Sequence, residues 1–295
     1  MPELLENIPD DVLAELKKRY SLDYHVDGAL RGHGLVDFTD QNVLEIGGTL
    51  PKDFVFEQLQ PKQWIGIEAP HYYRLAIPGR AEKVDDSPHS TRFEDVKSPE
   101  DLPDYSIIVG RAEDIPPSFY GQFDRIFSIA TFEHLTNFPL ALDRMFNALR
   151  PGGKMFSVFS PIWSAHNGHH LHQMYDKSGR EFSYKNSPIP PWSHLLMSQF
   201  EMYEFLRSHT DDESASIMAE HIYQLPVINR LFTEDYFNFF KYSKFIKGEF
   251  IGIPGLKTDE KTQKQLENRY PNYKHFSNHG LCIVAERPET NEEIA

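Results

Sequence analysis

From Asn42 onward the chain repeats one rhythm: a short apolar run ending near glycine or an acid, then an amphipathic stretch, then another short run. Strand-length runs alternating with helical spacing restrict a chain to an α/β sheet, because the strands bury their faces under the helices that separate them. The runs are Val43-Leu44-Glu45-Ile46, Trp64-Ile65-Gly66-Ile67-Glu68, Ser106-Ile107-Ile108-Val109, Phe123 to Ser128 and Lys154 to Phe159, and two later ones, Glu249 to Ile253 and Gly280 to Glu286, bring the expected strands to seven. Leu140 to Leu149 has helical spacing and is stopped by Pro151-Gly152-Gly153. A helix between the fourth and fifth strands makes a crossover, so those two strands are expected to be parallel.

Four segments are expected. Residues 1–40 form an N-terminal helical segment, where Leu4, Leu5, Ile8, Val12, Leu13 and Leu16 recur at near-helical spacing around Pro9. Residues 41–160 form the core, with the acidic, proline-containing stretch from Ala81 to Asp104 as a long surface connection. Residues 161–248, rich in aromatics, histidine and methionine, form a mainly helical insertion over the carboxyl edge of the sheet. Residues 249–295 close the sheet and end in a frayed acidic tail.

Composition excludes several functions. A net charge of −14 repels phosphate backbones, so nucleic acid is not expected as a partner. Cys282 is the only cysteine, which rules out an intramolecular disulfide or a cysteine-based zinc site and fits a cytoplasmic protein. No stretch approaches the roughly 20 uncharged apolar residues of a membrane span, and Met1 to Tyr20 lacks the pattern of a secretion signal.

In open α/β sheets ligands bind at the carboxyl ends of the strands, and the first strand-to-helix turn lies closest to them. That turn is Glu45-Ile46-Gly47-Gly48-Thr49-Leu50-Pro51. Gly47 and Gly48 let backbone approach a ligand, and Glu45 can accept hydrogen bonds from an ammonium group. The second strand ends in Glu68, 23 residues after Glu45, where a carboxylate can take both hydroxyls of a ribose. The third runs into Gly110-Arg111-Ala112-Glu113-Asp114-Ile115-Pro116, where an acid can bond the exocyclic amine of an adenine. A nicotinamide-binding loop would need G-x-G-x-x-G, a spacing that Gly47-Gly48-Thr49-Leu50-Pro51 lacks.

Together with Thr131-Phe132-Glu133-His134-Leu135 after the fourth strand and Leu149-Arg150-Pro151-Gly152-Gly153 before the fifth, these motifs resemble those of class I S-adenosylmethionine-dependent methyltransferases of the glutamate-histidine-leucine type. The resemblance covers roughly Asn42 to Ser160. It implies a Rossmann-like α/β fold with a seven-stranded, mostly parallel sheet, helices on both faces and a helical cap inserted after strand five. It also implies S-adenosyl-L-methionine as cofactor, with Glu45, Gly47 and Gly48 at the methionine end, Glu68 on the ribose, Ala112, Glu113 and Asp114 on the adenine side with Asp114 at N6, and Glu133 and His134 beside the methionine moiety. Thr49 departs from the family pattern by replacing its second glycine, so the loop must suit a β-branched residue.

Methyl transfer to an alcohol needs alignment and a base. After strand five comes Pro161-Ile162-Trp163-Ser164-Ala165-His166-Asn167-Gly168-His169-His170-Leu171-His172, with four histidines in seven residues. An imidazole titrates near neutral pH and can take a hydroxyl proton. His169 is the first choice for that base and His166 and His170 the alternatives, with Trp163 and Trp192 as flat walls for a sugar ring. The segment also resembles one found after strand five in methyltransferases of bacterial surface-glycan synthesis, which points to a sugar or glycan hydroxyl as acceptor. Methylation of another small-molecule or lipid hydroxyl or amine, and a catalytically silent cofactor-binding partner module, are the alternative readings. A divalent metal is conceivable on four histidines, but no metal-ligand spacing occurs and none is expected.

Two stretches mislead. Pro190-Pro191-Trp192 is similar to a Pro-Pro-aromatic motif of DNA amino-methyltransferases, but it lies some 60 residues late and lacks the leading polar residue, so it is expected to be a rigid turn in the cap. Tyr236-Phe237-Asn238-Phe239-Phe240-Lys241-Tyr242 is expected in the cap core, or in the contact of a homodimer.

Overall fold

The computed structural model describes residues 8–48, 50–69 and 90–290. Leu4, Leu5, Thr49, the connection before residue 90 and the last five residues lie outside that set.

An eight-stranded sheet organises the chain, in the order β3-β4-β2-β1-β5-β6-β10-β9. Its strands are β1 (Asn42–Ile46), β2 (Gln63–Glu68), β3 (Ser90–Arg92), β4 (Tyr105–Val109), β5 (Phe123–Ile129), β6 (Leu149–Phe159), β9 (Ile246–Pro254) and β10 (Asn278–Glu286). A separate hairpin pairs β7 (Met174–Tyr175) with β8 (Glu181–Phe182). Six strands are mutually parallel, and β10 runs antiparallel to both β6 and β9. All seven strands expected from the sequence are present. The eighth, β3, is a three-residue edge strand within the stretch expected to be only a connection. Its side chains are not buried, so it carries no apolar run to announce it.

Two helices precede the sheet, α1 (Asp10–Tyr20) and α2 (His25–Val36). α2 lies close on β5 and β6 because it presents glycines there: a Cβ at Gly28 would come 2.8 Å from Ile129 and one at Gly32 2.7 Å from Phe156. A short helix, α3 (Lys52–Phe54), runs on into a wider turn at Val55–Leu59, and α4 (Phe138–Ala148) makes the crossover from β5 to β6. These helices cover opposite faces of the sheet with two apolar clusters, one around Phe38, Trp64 and Phe127 and the other around Phe132, Phe138 and Tyr236.

The insertion holds α5 (Ser193–Leu196), α6 (Gln199–Arg207), α7 (Asp212–Tyr223) and α8 (Thr233–Lys241). A third cluster packs it from within and recruits Leu266 of α9 (Glu260–Arg269) and Phe276, so residues beyond the insertion help to hold the cap. α6 starts at a capping box on Ser198 and Glu201, and α7 at Asp211, which accepts from the Ser214 amide. No helix among the described residues is long and apolar enough to cross a membrane.

Candidate active site

Chain order along the sheet reverses at β1: β2 and β4 lie to one side, β5 and β6 to the other. At such a point the loops leaving the strands diverge and open a crevice. Here it is lined by Ile46, Gly47, Ile67, Glu68, Ala69, Gly110 to Glu113, Ala130, Thr131 and His134 to Thr136, and it encloses about 530 Å³ including its mouth.

The floor is backbone. The amides of Gly47 and Gly48 both donate to the Ile67 carbonyl, at 2.8 and 3.1 Å, so the first turn folds back over β2. Gly47 has φ +83°, and a Cβ there would collide with the Thr131 hydroxyl; one at Gly48 would lie 2.7 Å from Gly66 Cα. Only glycine at 47 therefore lets the turn pass this close to Thr131.

Glu45 is buried below this turn rather than lining the crevice, and its Oε2 accepts from Trp64 Nε1 at 2.7 Å. Glu68 lines the crevice at the end of β2, with Oε1 accepting from the Ala69 amide at 3.0 Å. After β4 the two adjacent acids part. Glu113 is buried in the crevice wall, where Oε1 accepts from the Asn137 amide at 3.0 Å and pairs with Arg111 Nη2 at 3.0 Å. Burial raises its pKa, but those two donors outweigh burial and hold it below the ordinary value. Asp114 is exposed, 3.9 Å from Arg111 Nε, and outside the lining. Arg111 itself lines the crevice, a contribution the sequence reading missed because it looked only for acids there.

After β5, Glu133 and His134 turn to different surroundings. His134 lines the crevice, and its Nδ1 lies 2.5 Å from the Val227 carbonyl of the cap. A carbonyl can only accept, so Nδ1 carries the hydrogen and Nε2 the lone pair. Burial draws His134 down to about 4, so the ring is neutral at physiological pH. Glu133 is 1% exposed, and no side chain among the described residues hydrogen-bonds its carboxyl. Its Oε1 lies 3.9 Å from His134 Nε2, and burial pushes it up to about 8.

The histidines after β6 divide similarly. His170 packs edge-on against His134 with ring centroids 4.8 Å apart, and stacks on Tyr184, which also stacks on His172. It is buried, its Nδ1 has no hydrogen-bond partner among the described residues, and burial holds its pKa well below the usual value. His169 points into the cap, where Nδ1 accepts from the Leu171 amide and the ring faces His194 at 6.0 Å. His166 is half-buried between Trp192 and His279. Trp163 and Trp192 are both in the cap core, and Trp192 Nε1 donates to the Phe276 carbonyl at 3.0 Å. Neither tryptophan, and none of His166, His169 and His170, is in the crevice lining. Among the described residues no group of three or more histidine, cysteine, aspartate or glutamate side chains is placed to hold a metal ion.

Comparison with known proteins bears on this geometry. Residues 66–157 match the model of a methyltransferase domain. No curated protein matches the sequence. Similar solved structures include S-adenosylmethionine-dependent methyltransferases from Mesorhizobium loti (14% identity, covering 88% of this chain and 96% of that one, TM-score 0.44) and Archaeoglobus fulgidus (11% identity, 92% and 98%, TM-score 0.45). The sheet and its crevice define a Rossmann-like α/β fold. The matched domain runs from β2 to β6, so the part of the chain that carries the crevice is similar to a methyltransferase domain.

Proposed function

We propose that the chain transfers the methyl group to an oxygen acceptor, a sugar or glycan hydroxyl, and that an imidazole of the segment after β6 takes the hydroxyl proton. Bound S-adenosylmethionine supplies a methyl group on a sulfonium, already activated for in-line displacement. What remains for the protein is to align the partners, exclude water and receive a proton.

The observation that carries this reading is His170. Its ring packs on crevice-lining His134, it is neutral, and its Nδ1 is buried without a hydrogen-bond partner among the described residues. A buried polar atom left unpaired costs about 1–3 kcal/mol and calls for a reason, which an acceptor hydroxyl would supply. The His170–Tyr184–His172 stack offers flat faces and ring nitrogens together, suited to a polyhydroxylated ring. On the cofactor, Glu68 takes the ribose hydroxyls, the Gly47-Gly48 turn receives the methionine end, and Ala112 and Glu113 face the adenine. Glu45 supports the turn from below through Trp64, and Asp114 meets the adenine amine only from the rim.

The test is cofactor turnover on a panel of sugars and amines, beside calorimetric binding of S-adenosylhomocysteine. The expected result is product with hydroxyl acceptors, lost in His170→Ala while homocysteine-cofactor affinity persists. Methylation of amines alone, or full turnover in His170→Ala, would overturn it.

A further inference from the structure

A buried acid sits one residue from the crevice wall, and its burial outweighs what the backbone of Glu133 and Ser160 offers its carboxyl. Glu133 is 1% exposed, no side chain among the described residues hydrogen-bonds its carboxyl, and Nε2 of crevice-lining His134 lies 3.9 Å from Oε1. The titratable groups facing it are His134 in its own turn and Tyr236 from α8, whose hydroxyl donates to Asn229 Oδ1 at 3.0 Å; His170 and His172 face His134 in turn. An isolated carboxylate there is costly, so the acid stays protonated in the empty protein, consistent with a pKa pushed up to about 8. A sulfonium brought into the crevice changes that balance, because a cation nearby favours the ionised form.

We propose that Glu133 ionises when the sulfonium cofactor binds and is reprotonated when the sulfonium is consumed, so that it is the final holder of the acceptor's proton. The inference rests on the methyl-transfer reading above and deepens it. In the transfer the acceptor oxygen forms a bond to the methyl carbon, the carbon–sulfur pair remains on sulfur, and the O–H pair remains on oxygen. The released proton leaves the acceptor oxygen on an imidazole of the segment after β6 and ends on the Glu133 carboxylate, while the His134 Nδ1 hydrogen stays donated to the Val227 carbonyl. Before the step the sulfonium and the Glu133 carboxylate are one cation and one anion; after it they are a thioether and a carboxylic acid. The charge of this pair sums to zero on both sides, so the transfer adds no unpaired charge to the buried part of the site. The same linkage makes the cationic cofactor bind better than the neutral product.

The experiment is calorimetry of S-adenosylmethionine and S-adenosylhomocysteine binding to the full chain in buffers of different ionisation enthalpy. Near pH 7 the sulfonium form should release close to one proton more than the thioether form, and the difference should vanish in Glu133→Gln. As a measurement needing no variant, the ratio of the two affinities should rise about tenfold per pH unit from pH 6 towards 8 and then level off. Equal proton release for both ligands, a ratio flat with pH, or a difference that survives in Glu133→Gln would overturn the proposal while leaving cofactor binding intact. Failure of either ligand to bind would instead overturn the reading on which it rests.

Discussion

Gly47 and Thr131 meet so closely across the crevice floor that a single methyl group on Gly47 would collide with the Thr131 hydroxyl, which is itself tied to the Ile129 carbonyl at 2.9 Å. The turn after β1 and the turn after β5 are thus fitted to each other, and the positive φ of Gly47 is part of the fit. Gly47→Ala forces both a disfavoured backbone conformation and a steric shift. It should cost about 1–3 kcal/mol of stability and weaken S-adenosylhomocysteine binding at least tenfold, measured by urea unfolding and calorimetry. Wild-type values for both would show that the two turns do not depend on each other.

The Glu68 carboxylate lies in the lining at the end of β2, and Oε1 is already oriented by the Ala69 amide. If it receives the ribose hydroxyls, Glu68→Ala should weaken cofactor binding by about 10- to 100-fold, the value of one or two charge-assisted hydrogen bonds. Unchanged affinity would remove Glu68 from the ribose.

Sequence reasoning reached the sheet because its strands are buried on both faces and appear as continuous apolar runs. Val43 to Ile46 and Trp64 to Glu68 are examples, buried throughout. It missed β3 because Ser90-Thr91-Arg92 pairs through backbone alone at a sheet edge. Adjacent acids were harder. Glu113 and Asp114 lie on a tight 3-10 turn, and only the fold decides that one meets Arg111 and the Asn137 amide inside while the other faces water. The same holds for His169 and His170, neighbours with opposite surroundings: His170 has φ +53°, a reversal that composition does not announce and that turns consecutive side chains apart. Trp163 and Trp192 looked like acceptor walls because an aromatic is equally suited to a core and to a sugar face, and here both pack in the core.

Trp64 Nε1 is a donor to the Glu45 carboxylate, which is 3% exposed. Trp64→Phe removes that donor and leaves a gap in a cluster that also holds Phe38 and Phe127. The expected loss is about 2–4 kcal/mol, from the lost charge-assisted bond and the cavity together. Denaturant unfolding measures it; a loss below about 0.5 kcal/mol would mean that Glu45 is held well enough without the indole.

Stability should pass through a maximum near pH 6.5. His134 and His194 are drawn down to about 4 by burial, so the unfolded chain binds more protons between 4 and 6.5. Their contribution is full above 6.5 and is lost as pH falls towards 4. Glu133, pushed up to about 8, works in the opposite sense: its contribution is full below about 4.5 and is lost as pH rises to 8. Where the windows overlap the two histidines outweigh the single acid, and above 6.5 only the acid titrates. Thermal unfolding between pH 4.5 and 8.5 should show both limbs, and Glu133→Gln should flatten the alkaline limb and steepen the acid one above pH 4.5.

The histidine proposed to receive the proton can be separated from the one that builds the cap. His170 touches His134 at the crevice, whereas His169 accepts from the Leu171 amide and faces His194 within the cap. His170→Ala should lower kcat by about 10²- to 10⁴-fold, the range for loss of a general base, with S-adenosylhomocysteine affinity within about threefold of wild type. His169→Ala should instead lower the unfolding midpoint, because it opens a cavity and frees a buried amide, while leaving kcat nearer wild type at temperatures where the cap is folded. A conservative check is His170→Gln, which keeps a polar group of similar reach but cannot take up a proton near neutrality. If it restores stability without restoring turnover, the imidazole is needed for its basicity. The reverse pattern, with His169→Ala inactive and folded and His170→Ala active, would move the proton acceptor into the cap.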